Sequence, residues 1–506
     1  MTDPIQRRPE LIFGANPFIE AGAEYVPFDA LAGKLRRRPL HDVPWRSLPP
    51  RLREPLMEKI DLHFAPHRNL MHPAADVQNL FRAGLARRNP LLLDERVRTL
   101  RVATAKNRKD LLLCGQLDGG GGICAGMTGM GKSALFKRLM EIIAPDRVIP
   151  FGSSKAYGWD NLIHVPYVYV DFATNGSRGG ILKRVLFALD QLLGTSLSDD
   201  FRKVTNIDVL LVEVCRQLSN VRCVLLIIDE KQEQNFEDSP WKVEFLLFYL
   251  SLMNLGINVQ LLGNPLAFVH LESFSQVMRR FSRAGHHRFV PAESANDPWW
   301  SNDYMPRVRK FNLVERWDID PDIRAQLEFD KSGGVPALGA AIHVCAQSAA
   351  LRRVGNATEA TVTVEDYETA ANDARYVEQL KIALAVRGET KPEMAPYLDV
   401  PHAGPAAAST EPGSGPGMST LSSSSVSMVK NLLARFTAQQ TRRARQFAER
   451  LDSLEGLAPE DLRMLGVEQS HLDELRKRVQ ETEDSGPKRK KSKPKSKGEA
   501  DDATPA

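Results

Sequence analysis

A glycine at position 126 is followed, after four residues, by Gly131-Lys132-Ser133. The spacing G-x-x-x-x-G-K-[ST] is that of a phosphate-binding loop. Its glycines let the backbone fold tightly, so that several N–H groups point at phosphate oxygens. The loop comprises Gly126, Met127, Thr128, Gly129, Met130, Gly131, Lys132, Ser133 and Ala134. Lys132 is placed to reach β- and γ-phosphates, and the Ser133 hydroxyl to ligate Mg2+, so ATP and Mg2+ are the expected cofactors. Downstream, "VLLIIDE" ends in Asp229 and Glu230. Asp229 is expected to hold Mg2+ through water, and Glu230 to polarise the attacking water as general base. An acidic pair at a strand end is also common as plain solvated surface. "LLGNP" puts Asn264 where a polar side chain can orient that water, although Asn-Pro is equally a turn former. "VMRRFSRAGHHRF" offers Arg279, Arg280, Arg283 and Arg288. In an oligomer one of these can reach a neighbour's γ-phosphate. Arg283 is the choice for that role, while a solvated or DNA-facing basic helix explains the segment as well.

These residues need strands that end together and helices that begin beside them. "GICAGMTG" reads as a strand entering the loop, and "SALFKRLMEII" sets Leu135, Leu139, Ile142 and Ile143 on one helical face. "VPYVYVDF" (Val165 to Phe172) reads as a strand and "ILKRVLFALDQLLG" as an amphipathic helix. "CVLLIID" (Cys223 to Asp229) is a continuous apolar run, as in a strand covered on both faces. "VEFLLFYLSLMNLG" reads as a buried helix and "INVQLLG" (Ile257 to Gly263) as a further strand. This alternation predicts a mainly parallel, helix-covered α/β sheet.

The chain of 506 residues is long enough for several domains. Residues 1–95, rich in Pro and Arg, read as an N-terminal extension with short helices that docks a selector or other partner. Residues 96–310 form the α/β nucleotide-binding core and 311–395 a helical lid. Residues 396–427 are a Pro/Gly/Ser-rich linker, 428–481 a small helical unit and 482–506 a disordered basic tail. The lysine-rich tail suits a solubilising or nonspecific DNA-tethering arm.

Hydrophobic residues make up 42% of the chain and charged residues 26%, an ordinary globular mixture. No apolar run is long enough to span a bilayer, and the first residues lack the apolar run of a signal peptide. The five scattered cysteines contain no C-x-x-C pair, which fits a reducing, cytoplasmic setting and excludes a disulfide framework. A net charge of +4 alone does not argue for nucleic acid. Its local clusters, Lys34 to Arg53, Arg279 to Arg288 and Pro487 to Lys497, are more informative.

The chain resembles an AAA+ ATPase of the TniB/TnsC type, a regulator of target choice in multi-component DNA transposons, over about 90–390 and into the N-terminus. The nucleotide motifs are common to many AAA+ families. "NPFIEA" (Asn16 to Ala21), "VDFATNGSRGGILKRVLFALDQLLGT" (Val170 to Thr195), "LLIIDEKQ" (Leu225 to Gln232) and "FLLFYLSLMNLGINVQLLGNP" (Phe245 to Pro265) carry the more specific likeness. The resemblance implies a P-loop core with a helical lid, and places Asn264 at the sensor position. It implies ATP-dependent assembly with itself into rings or helical filaments on double-stranded DNA. A TnsD/TniQ-type target selector would be received on one side and a TnsA/TnsB-type transposase recruited on the other, with ATP hydrolysis resetting the complex. Two positions depart from the pattern. Ala337 stands where many AAA+ proteins place a second-sensor arginine, and Glu233 where the related "DE-x-QHL" has histidine.

DNA along the inner face of such an assembly would meet "SRGGILKR", with Ser177, Arg178, Lys183 and Arg184 as candidate contacts. The same residues also suit the solvated face of an amphipathic helix. The leading expectation is therefore an ATP-hydrolysing, DNA-binding regulator of transposition. The competing readings are another DNA-linked or secretion-linked AAA+ machine, and a non-hydrolysing scaffold that uses nucleotide as structural glue.

Overall fold

The computed structural model describes residues 7–114, 117–172, 178–229, 242–268, 275–355 and 357–388. Among these, the strands are β1 (Gly121–Gly126), β2 (Ile149–Ser154), β3 (Trp159–His164), β4 (Tyr167–Asp171), β5 (Leu225–Asp229), β6 (Asn258–Gly263), β7 (His286–Phe289), β8 (Arg316–Trp317) and β9 (Thr361–Val362). Five of them pair in the order β4-β5-β6-β1-β7, and every pairing is parallel. The chain thus has the expected α/β fold of a P-loop NTPase, a parallel sheet flanked by helices. β1, β5 and β6 are buried along their whole length, which is why they read as near-continuous apolar runs.

Side chains alternate across each strand, so the sheet has two distinct faces. Val168, Val170, Leu226 and Ile228 pack with the helices Arg178–Leu193, Ile207–Asn220 and Lys242–Asn254. Tyr167, Leu225 and Ile227 pack on the other face, against the helices Arg68–Arg87 and Lys132–Ile143. Leu135, Phe136, Leu139, Met140 and Ile143 supply the buried side of the latter. Each such aliphatic side chain contributes roughly 1.5–3 kcal/mol of burial.

The N-terminal segment differs from the expected run of short helices. Arg68–Arg87 is a 20-residue helix on the core. Its periodicity is hard to read because polar groups sit on its buried side. Gln78 is 1% exposed and brackets Val26, accepting from the Val26 N–H at 3.2 Å and donating to its carbonyl at 2.8 Å. Arg82 pairs with Glu10 and donates to the Ala23 carbonyl at 3.0 Å. Upstream, Asn16 caps the short helix Pro17–Ala21 by accepting from the Phe18 N–H at 3.0 Å, and its amide donates to the Leu85 carbonyl at 3.0 Å. Phe18, 1% exposed, stacks on His164 with ring centroids 4.0 Å apart. Each of the first four residues of "NPFIEA" therefore has a local structural role, as cap, helix start, stacking ring and buried Ile19 in turn.

Beyond the sheet, the helices Pro321–Ser332, Pro336–Val354, Val364–Ala371 and Val377–Val386 form the lid, with β8 and β9 as a two-residue parallel pair. Glu328 is its buried anchor, accepting from Arg309 and Arg324 at 3.0 Å and from the Tyr367 phenol at 2.9 Å. Among the elements absent from the sequence reading are the antiparallel pair β2–β3, the helix Ile207–Asn220 and the strand β7. The residues of β7, His-His-Arg-Phe, look like part of a basic loop. A strand at the sheet edge can carry such residues because one of its sides is unpaired. All five cysteines are buried and free.

Candidate nucleotide site

Parallel register brings the functional strand ends to one edge. Asp171 lies opposite Asp229, and Asp229 opposite Leu262. Leu262 in turn lies opposite Cys124, and Gly126 opposite Phe289. The loop at Gly126, the carboxylate of Asp229 and Asn264, one residue past β6, therefore share the carboxyl edge of the sheet, where α/β proteins bind ligands.

The loop takes the conformation its glycines permit. Gly129 has φ +88° and Gly131 φ +83°, both left-handed values that an L side chain rarely adopts. Gly131 is the N-cap of the helix Lys132–Ile143 and gives it no side-chain cap. The first-turn amides and the dipole of this 12-residue helix thus lie where the motif predicts phosphate. The Lys132 ammonium donates to the carbonyl of Gly126 and, at 2.8 Å, to that of Met127.

Asp229 is 2% exposed and points to the face that carries the phosphate-loop helix. Its Oδ2 accepts from the Tyr169 phenol at 2.6 Å. Burial raises the Tyr169 pKa and the Asp229 carboxylate raises it further, so the phenol stays protonated and donates. Lys137 lies 5.5 Å from the centre of the Tyr169 ring. Tyr169 is absent from the sequence-based set of site residues. Its signal was the alternation in "YVYVD", which puts Tyr169 on the same face of β4 as its terminal aspartate.

The donor set fits a nucleotide with a hard divalent cation: glycine-shaped amides, one lysine, one hydroxyl and one carboxylate. Mg2+, when bound, neutralises charge on the β- and γ-phosphate oxygens. Among the described residues, no group of three or more His, Cys, Asp or Glu side chains could hold a metal ion. Ser133 and Asp229 are the groups that the loop and strand motifs assign to the cation at this edge.

The remaining candidates are dispersed. Glu230 and Ser177 lie outside the described residues, as do the linker, the small helical unit and the basic tail. Arg178 opens the helix Arg178–Leu193. On that helix, the Lys183 ammonium donates to the Arg202 carbonyl at 2.8 Å and Arg184 to the Asp171 carbonyl at 3.4 Å. Arg283 lies at the far end of β1 from the loop, where it donates to the Asp118 carbonyl and lies 3.8 Å from the Asp118 carboxylate. At the second-sensor position, the Ala337 N–H donates to the Gly129 carbonyl at 3.0 Å. The lid thus meets the phosphate loop through main chain.

Residues 116–270 match the family model of an AAA domain. This segment contains the phosphate loop, Asp229 and Asn264, and the chain accordingly carries an AAA-type P-loop ATPase domain. No curated protein matches the chain. The solved structures similar to it include the following three. The Aeropyrum pernix ORC1 protein in complex with DNA is 20% identical, with 59% of this chain and 72% of that one covered and a TM-score of 0.34. The Aeropyrum pernix ORC2 protein in ADPNP-ADP complexes is 15% identical, with 58% and 71% covered and a TM-score of 0.35. Drosophila ORC bound to DNA is 13% identical, with 72% and 70% covered and a TM-score of 0.32.

Proposed function

We propose that this protein is an ATP-hydrolysing regulator of DNA transposition that assembles with itself on duplex target DNA. In this reading it links a TnsD/TniQ-type selector to a TnsA/TnsB-type transposase, and hydrolysis resets the assembly. The observation that carries the enzymatic part is the shared strand edge of the glycine loop, which carries Ser133, and the buried Asp229 carboxylate, which Tyr169 holds at 2.6 Å. It joins the two groups that a nucleotide-bound Mg2+ needs. Glu230, next in sequence, is the general base, Asn264 orients the water, and Arg283 serves a neighbouring subunit. The transposition part rests on the resemblance carried by "NPFIEA" and the segments around β4, β5 and β6. DNA contact by Arg178, Lys183 and Arg184 would be to phosphates, without sequence readout.

The test is electron microscopy of the purified protein with duplex DNA, with and without a slowly hydrolysed ATP analogue, alongside Glu230→Gln with ATP. Nucleotide-dependent rings or filaments are expected on DNA. The variant should keep them while its turnover falls by a factor on the order of 10²–10⁴. Discrete particles indifferent to DNA would reject assembly on DNA. Unchanged turnover would reject the role of Glu230.

A further inference from the structure

The carboxylate assigned to the cation is held by a neighbouring strand. The Tyr169 phenol donates to Asp229 Oδ2 at 2.6 Å. A phenol has one proton to donate, and here it is committed to that carboxylate. A carboxylate that holds a metal-bound water needs one oxygen aimed at it. With Oδ2 taken by the phenol, Oδ1 is left for that purpose.

Three further features hold Tyr169 in place. It sits on β4 in register with Ile227 of β5, two residues before Asp229, on the shared face of the two strands. Its ring packs against the core beneath the phosphate-loop helix. Lys137, one turn along that helix from Ser133, lies 5.5 Å from its ring centre. The phenol is thus fixed by a sheet, a core and a cation independently of any ligand.

We propose that Tyr169 is a positioning residue of the metal site, setting the carboxylate orientation of Asp229 so that it is ready for a nucleotide-bound divalent cation. The proposal rests on the nucleotide-site reading above. Outer-shell partners of this kind typically carry about 10–100-fold in metal affinity. Tyr169→Phe removes only the hydroxyl and keeps the ring, its packing and its contact with Lys137.

The experiment is a Mn2+ titration of the full chain followed by electron paramagnetic resonance, with ATP present, on wild type, Tyr169→Phe and Asp229→Asn. ATP binding in excess EDTA is measured alongside by calorimetry. Tyr169→Phe should weaken ATP-dependent Mn2+ binding by about 10–100-fold. Its metal-free ATP affinity should stay within about twofold of wild type, since a fold-change of that size is well under 1 kcal/mol. Mn2+ binding equal to or tighter than wild type would overturn the proposal, provided Asp229→Asn is weakened. Parallel loss of metal-free ATP binding would also overturn it, because the hydroxyl would then support the loop as a whole. Absence of ATP-dependent Mn2+ binding in wild type would instead reject the nucleotide site itself.

Discussion

Lys132 rests its ammonium on the carbonyls of Gly126 and Met127, inside the loop that it should serve. Truncation to alanine removes a charged donor without disturbing the buried side of its helix, which Leu135, Phe136 and Leu139 provide. A hydrogen bond to a charged group contributes about 1.5–3 kcal/mol. Lys132→Ala should therefore weaken ATP binding roughly 10–100-fold, and assembly on DNA should fall with it. Calorimetry for ATP and a DNA-binding assay check the two effects, and nucleotide-dependent DNA binding at wild-type strength would rule out the loop's role. The glycine loop was legible in sequence because its chemistry is local, eight residues of type and spacing. Asp229 was legible because an apolar run ends in it. Tyr169 was not, because its partners come from a different strand and a different helix, and only strand pairing brings the three together.

At the scale of elements, Phe18 and the Asn16 cap join Gln78 and Arg82 in holding the N-terminal segment to the core. Phe18 lies between His164, at 4.0 Å, and Phe151, at 5.3 Å between ring centroids. Truncating a fully buried phenylalanine to alanine costs about 3–5 kcal/mol. Phe18→Ala should lower the denaturant midpoint accordingly in equilibrium unfolding, and a shift under about 1 kcal/mol would mean that the segment is not part of the cooperative unit. The strands of the sheet interior were legible from their apolar runs, and the phosphate-loop helix from its 3.6-residue period. The helix Arg68–Arg87 was not, because Gln78 and Arg82 occupy its buried side and satisfy backbone groups of Val26 and Ala23 there. Nor was β7, an edge strand of polar composition. Both misses share one cause. Periodicity reports burial, and a polar residue with a distant partner is buried without announcing it.

At the scale of the whole molecule, three histidines, His67 and His164 buried and His63 partly so, set an acid limit. Burial lowers His63 to about 4, and His67 and His164 to about 3, from an ordinary value of 6.5. All three are neutral in the fold and take up protons readily once it opens. Their contribution to stability is therefore complete above pH 6.5 and is lost as pH falls toward 4 and 3. Each histidine adds a slope approaching about 1.4 kcal/mol per pH unit. Unfolding midpoints measured in denaturant should be flat from about pH 8 to 7 and fall steeply below about pH 6. His67→Gln should make that fall shallower, and an unchanged slope would remove His67 from the account.

The bond from the Ala337 N–H to the Gly129 carbonyl joins the lid to the phosphate loop with no side chain taking part. Position 337 can therefore drift among most residue types while the tie persists, and a comparison of aligned side chains would record nothing there. Proline alone deletes the donor, and its ring carbon falls where the proton pointed at the Gly129 carbonyl. Ala337→Pro would therefore break the tie and press lid and loop apart: the linkage is indifferent to the side chain and intolerant of a changed backbone.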